Sequence, residues 1–407
     1  MSCIVLQLGQ CGNQVGQRVF DTLIEDNLTH SNATKLTITN RSSIDDYIRH
    51  SLDRFFIQYD NKLIARALAI DTELKVIEQL MDEKAQAKRH WQYEKKCVFE
   101  DSIKLLSLNI YKTTFRRLGS GNNWACGYRN GSLAEESILN KLRWQLEHAD
   151  RVDTILPILS LAGGTGSGLG AYIVECVRDE LPRSFLLTTI VVPYTSGEVV
   201  VQNYNSLLTL SHLYHSTDAL LVFENDILQQ YAKKLVSCSG VDRPTTIHDM
   251  NNILTRHLCS FLQPIAKKNQ SICEINYLLE QLLPHSFYKL LTLRCVPQLS
   301  DQAMDFSTYK WSSLVKTLSQ MYINNSYLDE GLNCYRDKSY LNYEKYLSFI
   351  SNCQTPVSSL DRIVNKSWQL FGQKAYLHHY MKYDIDEQAF LNGFVQIEQV
   401  IKSYNQL

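Results

Sequence analysis

Residues Ile155-Leu156-Pro157-Ile158-Leu159-Ser160-Leu161 run directly into Ala162-Gly163-Gly164-Thr165-Gly166-Ser167-Gly168 and on into Leu169–Leu181. The first segment has the apolar continuity of a buried strand, and the last has helical texture. A strand feeding a glycine loop and then a helix sets several bare backbone N–H groups around one point, where the positive end of the helix dipole also lies. Such a point attracts an anion, most often a phosphate. Glycines suit it because a Cβ would hold the backbone away from the anion's oxygens. The run lacks the Gly-Lys-Ser/Thr of a P-loop. It reads as a dinucleotide fingerprint, Gly166-x-Gly168-x-x-Ala171, only if the strand passes through Gly163-Gly164. A purely structural loop is the third reading.

Three further loops lie upstream. Gly9-Gln10-Cys11-Gly12-Asn13-Gln14-Val15-Gly16 follows the apolar run Cys3–Leu8. Asp71-Thr72-Glu73 follows Leu63–Ile70, and its carboxylates suit Mg²⁺ beside a phosphate, or the first turn of a helix. Gly119-Ser120-Gly121-Asn122-Asn123-Trp124 is a small-residue loop whose asparagines can donate to phosphate or ribose. In open α/β sheets ligands sit outside the carboxyl ends of the strands, so loops of this kind can grip one nucleotide from several sides.

Around these loops, apolar runs alternate with helix-like stretches as far as the amphipathic segment Ile247–Leu262. That is the pattern of a parallel sheet covered on both faces. Residues Thr29–Ser51 are polar and read as loop. Beyond Gln263 the texture changes: Leu290–Val296 and Tyr346–Ile350 read as strands, Trp311–Ile323 as a helix, and Val357–Tyr383 and Asp386–Tyr404 as two helix-like segments. The expected division is 1–262, 263–355 and 356–407. The chain has 407 residues, 44% hydrophobic and 20% charged, with a formal net charge of −1. This is ordinary globular composition and argues against a dedicated nucleic-acid or membrane-surface binder. No apolar run approaches the ~20 residues of a membrane helix, and a signal peptide is not expected. Eleven cysteines without a C-x-x-C pair read as reduced thiols, and a zinc site has no supporting spacing.

The run G-Q-C-G-N-Q-V-G, the triplet D-T-E, G-S-G-N-N-W-A and A-G-G-T-G-S-G, in this order and spacing, resemble the tubulin superfamily. Within it, GEVVVQNYNSLLTLSHLYHSTDALL and KAYLHHYMKYDIDE look most like the delta-tubulin subfamily. The resemblance implies an α/β fold: a parallel-sheet GTP-binding domain (tubulin/FtsZ-like), a shortened α+β middle domain and a C-terminal helical hairpin. It implies GTP or GDP with Mg²⁺. Gln10, Cys11 and Gln14 would lie along the nucleotide, and Glu73 would hold Mg²⁺. Asn122 would face the γ-phosphate, and Ser160, Gly164, Thr165 and Gly166 would cradle phosphates and ribose. Glu198 would contact ribose, and Asn225 and Asn251 would read the guanine edge. The implied partners are other tubulin subunits and microtubules of centrioles or basal bodies. The implied place is the cytoplasm, cytoskeleton and cilium. The runners-up are a truncated family member that binds GTP without assembling, and an NAD-dependent oxidoreductase, for which no catalytic set is evident.

The chain also departs from the pattern. Ile247 stands where an aromatic ring commonly stacks on guanine. The acid with which an alpha-type subunit promotes hydrolysis in its neighbour aligns with Tyr277, a poor base near neutral pH; at most weak GTPase activity is expected. Residues 101–118 look inserted, and the chain is short between about Leu332 and Tyr343, which would deplete the middle sheet. Lys402-Ser403-Tyr404-Asn405-Gln406-Leu407 carries no acidic tail, so recruitment of basic partners by one is not expected.

Overall fold

Strand β1 (Ser2–Leu8) is buried along its whole length, and its side chains divide between two cores. Ile4, Leu6 and Leu8 face one core and Cys3 and Val5 the other. The same alternation holds for β2 (Ala67–Asp71), β4 (Val152–Ser160), β5 (Phe185–Val192) and β6 (Ala219–Glu224). Continuous apolar runs of this kind need cover on both faces, which parallel strands with crossover helices provide. With β3 (Val98–Glu100), β7 (Leu290–Val296), β8 (Leu332–Tyr335) and β9 (Leu347–Asn352), they form a nine-stranded sheet in the order β8-β9-β7-β6-β5-β4-β1-β2-β3. The run from β7 to β3 is parallel; β9 pairs antiparallel with both β7 and β8. This computed structural model describes residues 2–32, 38–59, 62–100, 119–197, 199–238, 243–266, 272–273, 275–298, 310–323, 332–335, 340–341 and 343–407.

One face is covered by α1 (Gly9–Asn32), through Val15, Val19, Phe20 and Leu23, and by α6 (Ile247–Leu262), through Leu254, Leu258 and Phe261. The other is covered by α2 (Trp124–Glu147), α3 (Gly170–Glu180) and α4 (Gln202–Ser216). The C-terminal helices α7 (Val357–Gly372) and α8 (Glu387–Asn405) pack against α4 through Leu360, Ile363, Phe390, Phe394 and Ile397. Helix starts follow local chemistry. Asn123 caps α2 by accepting from the N–H groups of Ala125 and Cys126, and Thr246 and Asp249 form a capping box on α6.

Several sequence expectations change. The stretch read as polar loop, Thr29–Ser51, is largely helical: α1 runs to Asn32 and a second helix spans Ile38–Phe55. Two of its polar residues turn inward: Tyr47 donates to Asp26 at 2.5 Å, and Ser51 accepts from Asn27 at 3.1 Å. The single strand read over Leu63–Ile70 is two, divided at Arg66, the first of which (Lys62–Ala65) forms a hairpin with Phe56–Tyr59. The sheet also crosses the expected boundary at 262. Leu290 and Leu291 pair with Leu220 and Leu221, so β7 joins the main sheet rather than a separate depleted one. Within the stretch read as short, Leu332–Tyr335 supplies an edge strand. The apparent insertion, 101–118, lies outside the described residues. Among those described, no helix is long and apolar enough to cross a membrane.

Candidate functional site

Because β1, β2, β4 and β6 are parallel, the segments Gly9–Gly16, Asp71–Glu73, Ala162–Gly166 and Asn225 all leave the same edge of the sheet. Gly9 sits at φ +72°, and a Cβ there would lie 2.6 Å from the backbone nitrogen of Gly166. The Gly9 loop thus rests on the Ala162–Gly166 loop with no room for a side chain. A Cβ on Gly164 would lie 2.7 Å from Cβ of Ser120 and 2.9 Å from the nitrogen of Asn123, so the Gly119 loop closes on the same point. At Gly119 itself (φ +38°) the nearest atom to an added Cβ is Oε1 of Glu73, at 2.9 Å.

Hydroxyls join the loops at that point. Thr165 Oγ1 lies 2.6 Å from Thr72 Oγ1 and 3.2 Å from Ser120 Oγ. The glycine loop then turns through a wide π-type turn, Thr165–Leu169, into α3. Among the described residues, the N–H groups of Gly163 and Gly164 donate to no acceptor. Thr165 and Gly166 follow in the first turn, where a helix leaves its N–H groups unpartnered. Gly163 is half-buried and Gly164, Thr165 and Gly166 are buried; buried donors without acceptors are costly, so this cradle suits an anion. Gly166 and Gly168 do not serve as a dinucleotide fingerprint: both lie inside the π-type turn, and Gly168 is glycine because a Cβ would meet the carbonyl of Trp124 at 2.0 Å.

The carboxylates differ. Asp71 is 2% exposed, accepts from the Glu73 N–H at 3.0 Å and from Asn13 Nδ2 at 3.4 Å, and burial pushes its carboxyl up to about 6. Glu73 is exposed, and its carboxylate makes no hydrogen bond among the described residues. No group of three or more His, Cys, Asp or Glu capable of holding a metal occurs among the described residues. Any Mg²⁺ would therefore draw most of its ligands from phosphate and water, as Mg²⁺ usually does. The residues present fit that arrangement, with Glu73 the free carboxylate beside the cradle.

The remaining expected residues spread outward. Gln10 and Gln14 are exposed one turn apart on α1, with Cys11 half-buried beside them. Ser160 ends β4, and its Oγ accepts from the Ala162 N–H at 3.3 Å. Asn122 is exposed in the left-handed region, at φ 53°. Asn225 opens α5 (Asn225–Cys238), which packs on α6, and α6 carries Asn251 and packs on α1. Both asparagines are half-buried, and their link to the glycine loops is this helix packing. Ile247 begins α6 and is 65% exposed. Glu198 and the side chain of Tyr277 lie outside the described residues. Sequence reasoning passed over Thr72 and Ser120, which it quoted only as loop members. It missed Asn205, whose signal was one amide inside the apolar stretch Tyr204–Tyr214.

The Tubulin/FtsZ family, GTPase domain, matches residues 2–233. The chain is 34% identical over 476 positions to the Tubulin delta chain of Canis lupus familiaris, covering 99% of each. It is 33% identical over 475 positions to that of Homo sapiens, again covering 99% of each. It is 28% identical to the Tubulin gamma chain of Saccharomyces cerevisiae, over 81% of this chain and 65% of that one. Because 476 aligned positions exceed the chain's 407 residues, the dog protein carries residues that this chain lacks.

Proposed function

The chain belongs to the Tubulin/FtsZ family as a delta-tubulin-like member carrying the GTPase domain, and from that premise we propose that it binds Mg-GTP at the strand-end cleft and works in centriole, basal-body and cilium assembly beside other tubulin subunits. The carrying observation is the cradle itself: unpartnered N–H groups at Gly163 and Gly164, closed in by Gly9 and Ser120. In this reading the Gly164-Thr165-Gly166 backbone and Ser160 hold phosphates and ribose, Asn122 faces the third phosphate, and Gln10, Cys11 and Gln14 line the nucleotide. Glu198 meets the ribose. Asn225 and Asn251, on packed helices, read the guanine edge. Mg²⁺, held through water by Glu73, would neutralise phosphate charge. The nucleotide forms part of a subunit contact, which couples its state to assembly.

The chain's own part in this is binding and positioning, because the N–H donors are fixed before the ligand arrives. A ligand that binds only the native state stabilises it by RT ln(1 + [L]/Kd), about 2.7 kcal/mol at a hundredfold excess over Kd. Saturating Mg-GTP should therefore raise the melting temperature, and mant-GTP but not NADH should bind. No shift with Mg-GTP refutes the reading. The residues present in the dog relative and lacking here favour a second reading, a member that binds GTP without assembling. Protein that binds mant-GTP yet never sediments with microtubules or centriolar fractions would select it.

A further inference from the structure

Asn205, on α4, is fully buried, with 0% exposure. Its side-chain amide is saturated. Nδ2 donates to the carbonyl of Asn122 at 2.8 Å and to the carbonyl of Ala162 at 2.8 Å. Oδ1 accepts from the Trp124 N–H at 3.0 Å and from the Tyr380 hydroxyl at 2.7 Å. An amide offers two donors and two acceptor positions, so none is left for a ligand. One side chain thus pins the Gly119–Trp124 loop to the glycine loop, and both to Tyr380, 175 positions from Asn205 in sequence.

Tyr380 lies in the short helix Leu377–Met381 of the C-terminal layer and is also fully buried. Its ring packs edge-on against Phe390 at 5.2 Å and Tyr204 at 5.7 Å, which aims the hydroxyl. A second tie runs beside it: Asn123 Nδ2 donates to the carbonyl of His379 at 3.0 Å. The C-terminal layer therefore holds the loop of Asn122 at two points and the glycine loop, through Asn205, at one.

We propose that Asn205 is a positioning residue that sets the spacing of the two phosphate-facing loops, and that Tyr380 locks it from the C-terminal layer, so that discrimination between guanosine triphosphate and diphosphate depends on a hydroxyl that never meets the nucleotide. This rests on the GTP reading above. The Asn122 loop serves the third phosphate and the glycine loop serves both nucleotides, so loosening the tie penalises the triphosphate selectively.

The test is titration of the full chain with mant-GTP and mant-GDP in Mg²⁺, comparing wild type with Tyr380→Phe and Tyr404→Phe. Tyr380→Phe keeps the ring and removes one hydrogen bond. Tyr404→Phe removes an equally buried hydroxyl of the C-terminal layer, one that donates to Asn352 Oδ1 at 2.7 Å, accepts from the Leu290 N–H at 2.8 Å and makes no hydrogen bond to the loops. At the usual strength of one hydrogen bond, Tyr380→Phe raises the mant-GTP Kd by about three- to tenfold and the mant-GDP Kd by less than about twofold. Tyr404→Phe changes neither ratio nor order. An unchanged GTP/GDP ratio in Tyr380→Phe, or an equal loss for both nucleotides, overturns the inference while leaving the GTP reading intact. Wild type that binds neither nucleotide overturns both.

Discussion

Replacing Gly164 by alanine probes whether the Gly119 loop and the Ala162–Gly168 loop are held at contact distance by the absence of a side chain. Gly164 has φ −97° and ψ −47°, a conformation alanine accepts, so backbone strain is not the issue. The obstacle is space. The added Cβ would stand 2.7 Å from Ser120 Cβ, 2.8 Å from the Ser120 carbonyl oxygen and 2.9 Å from the Asn123 nitrogen. Two of these atoms are backbone and cannot rotate away, so the loops must part by up to about 1 Å to reach ordinary contact. Overpacking of this kind costs about 1–3 kcal/mol, offset by roughly 0.4–1 kcal/mol from the stiffer unfolded chain. The expected net loss is about 1–2 kcal/mol in urea unfolding of the unliganded protein, with at least about tenfold weaker mant-GTP binding. Gly163→Ala is the matched control: nothing lies within 4 Å of its added Cβ, so unliganded stability should hold or rise slightly. Equal unfolding midpoints for the two variants would refute the account of loop closure.

Three further outcomes follow from individual groups. Burial raises Asp71 from 3.8 to about 6, so the protonated form is favoured in the folded state. That contribution is present below about pH 4 and is lost as pH rises through 6, roughly 3 kcal/mol in all; Asp71→Asn should remove this dependence from unliganded melts. His257 is buried and held down to about 3, so its contribution is present above about pH 6.5 and lost as pH falls toward 3; His257→Gln should flatten the acid limb of a pH–stability curve, and an unaltered limb counts against it. Glu73→Gln should leave unliganded stability within about 0.5 kcal/mol, since the side chain is exposed, yet raise the Mg²⁺ concentration needed for half-maximal mant-GTP binding several-fold. Identical Mg²⁺ dependence in variant and wild type would remove Glu73 from the metal's surroundings.

The alternating apolar and helix-forming runs were sufficient to give a parallel sheet, because strands buried on both faces have no polar period to hide them. The glycine loops were legible for a related reason. A position that tolerates no Cβ, such as Gly9 against Gly166, leaves its mark in residue type alone. Thr29–Ser51 was misread because the stretch is polar, and only the fold turns Asp26, Asn27 and Ser51 toward partners 21 and 24 positions away. The continuation of the sheet past 262 was hidden on the same ground. Nothing in Leu290–Val296 says which strand it will lie beside, and the pairing with Ala219–Glu224 is a long-range choice.

By itself the sequence determined which segments are glycine-bearing loops and at which edge of the sheet they stand, since local backbone freedom and hydrophobic period are written residue by residue. What only the tertiary structure decided is how those segments are held together. The hydroxyls of Thr72, Ser120 and Thr165 and the amide of Asn205 acquire their roles from neighbours brought in by folding. A hydrogen bond across the fold depends on distance and direction between distant residues, and neither quantity has a local signature in the chain.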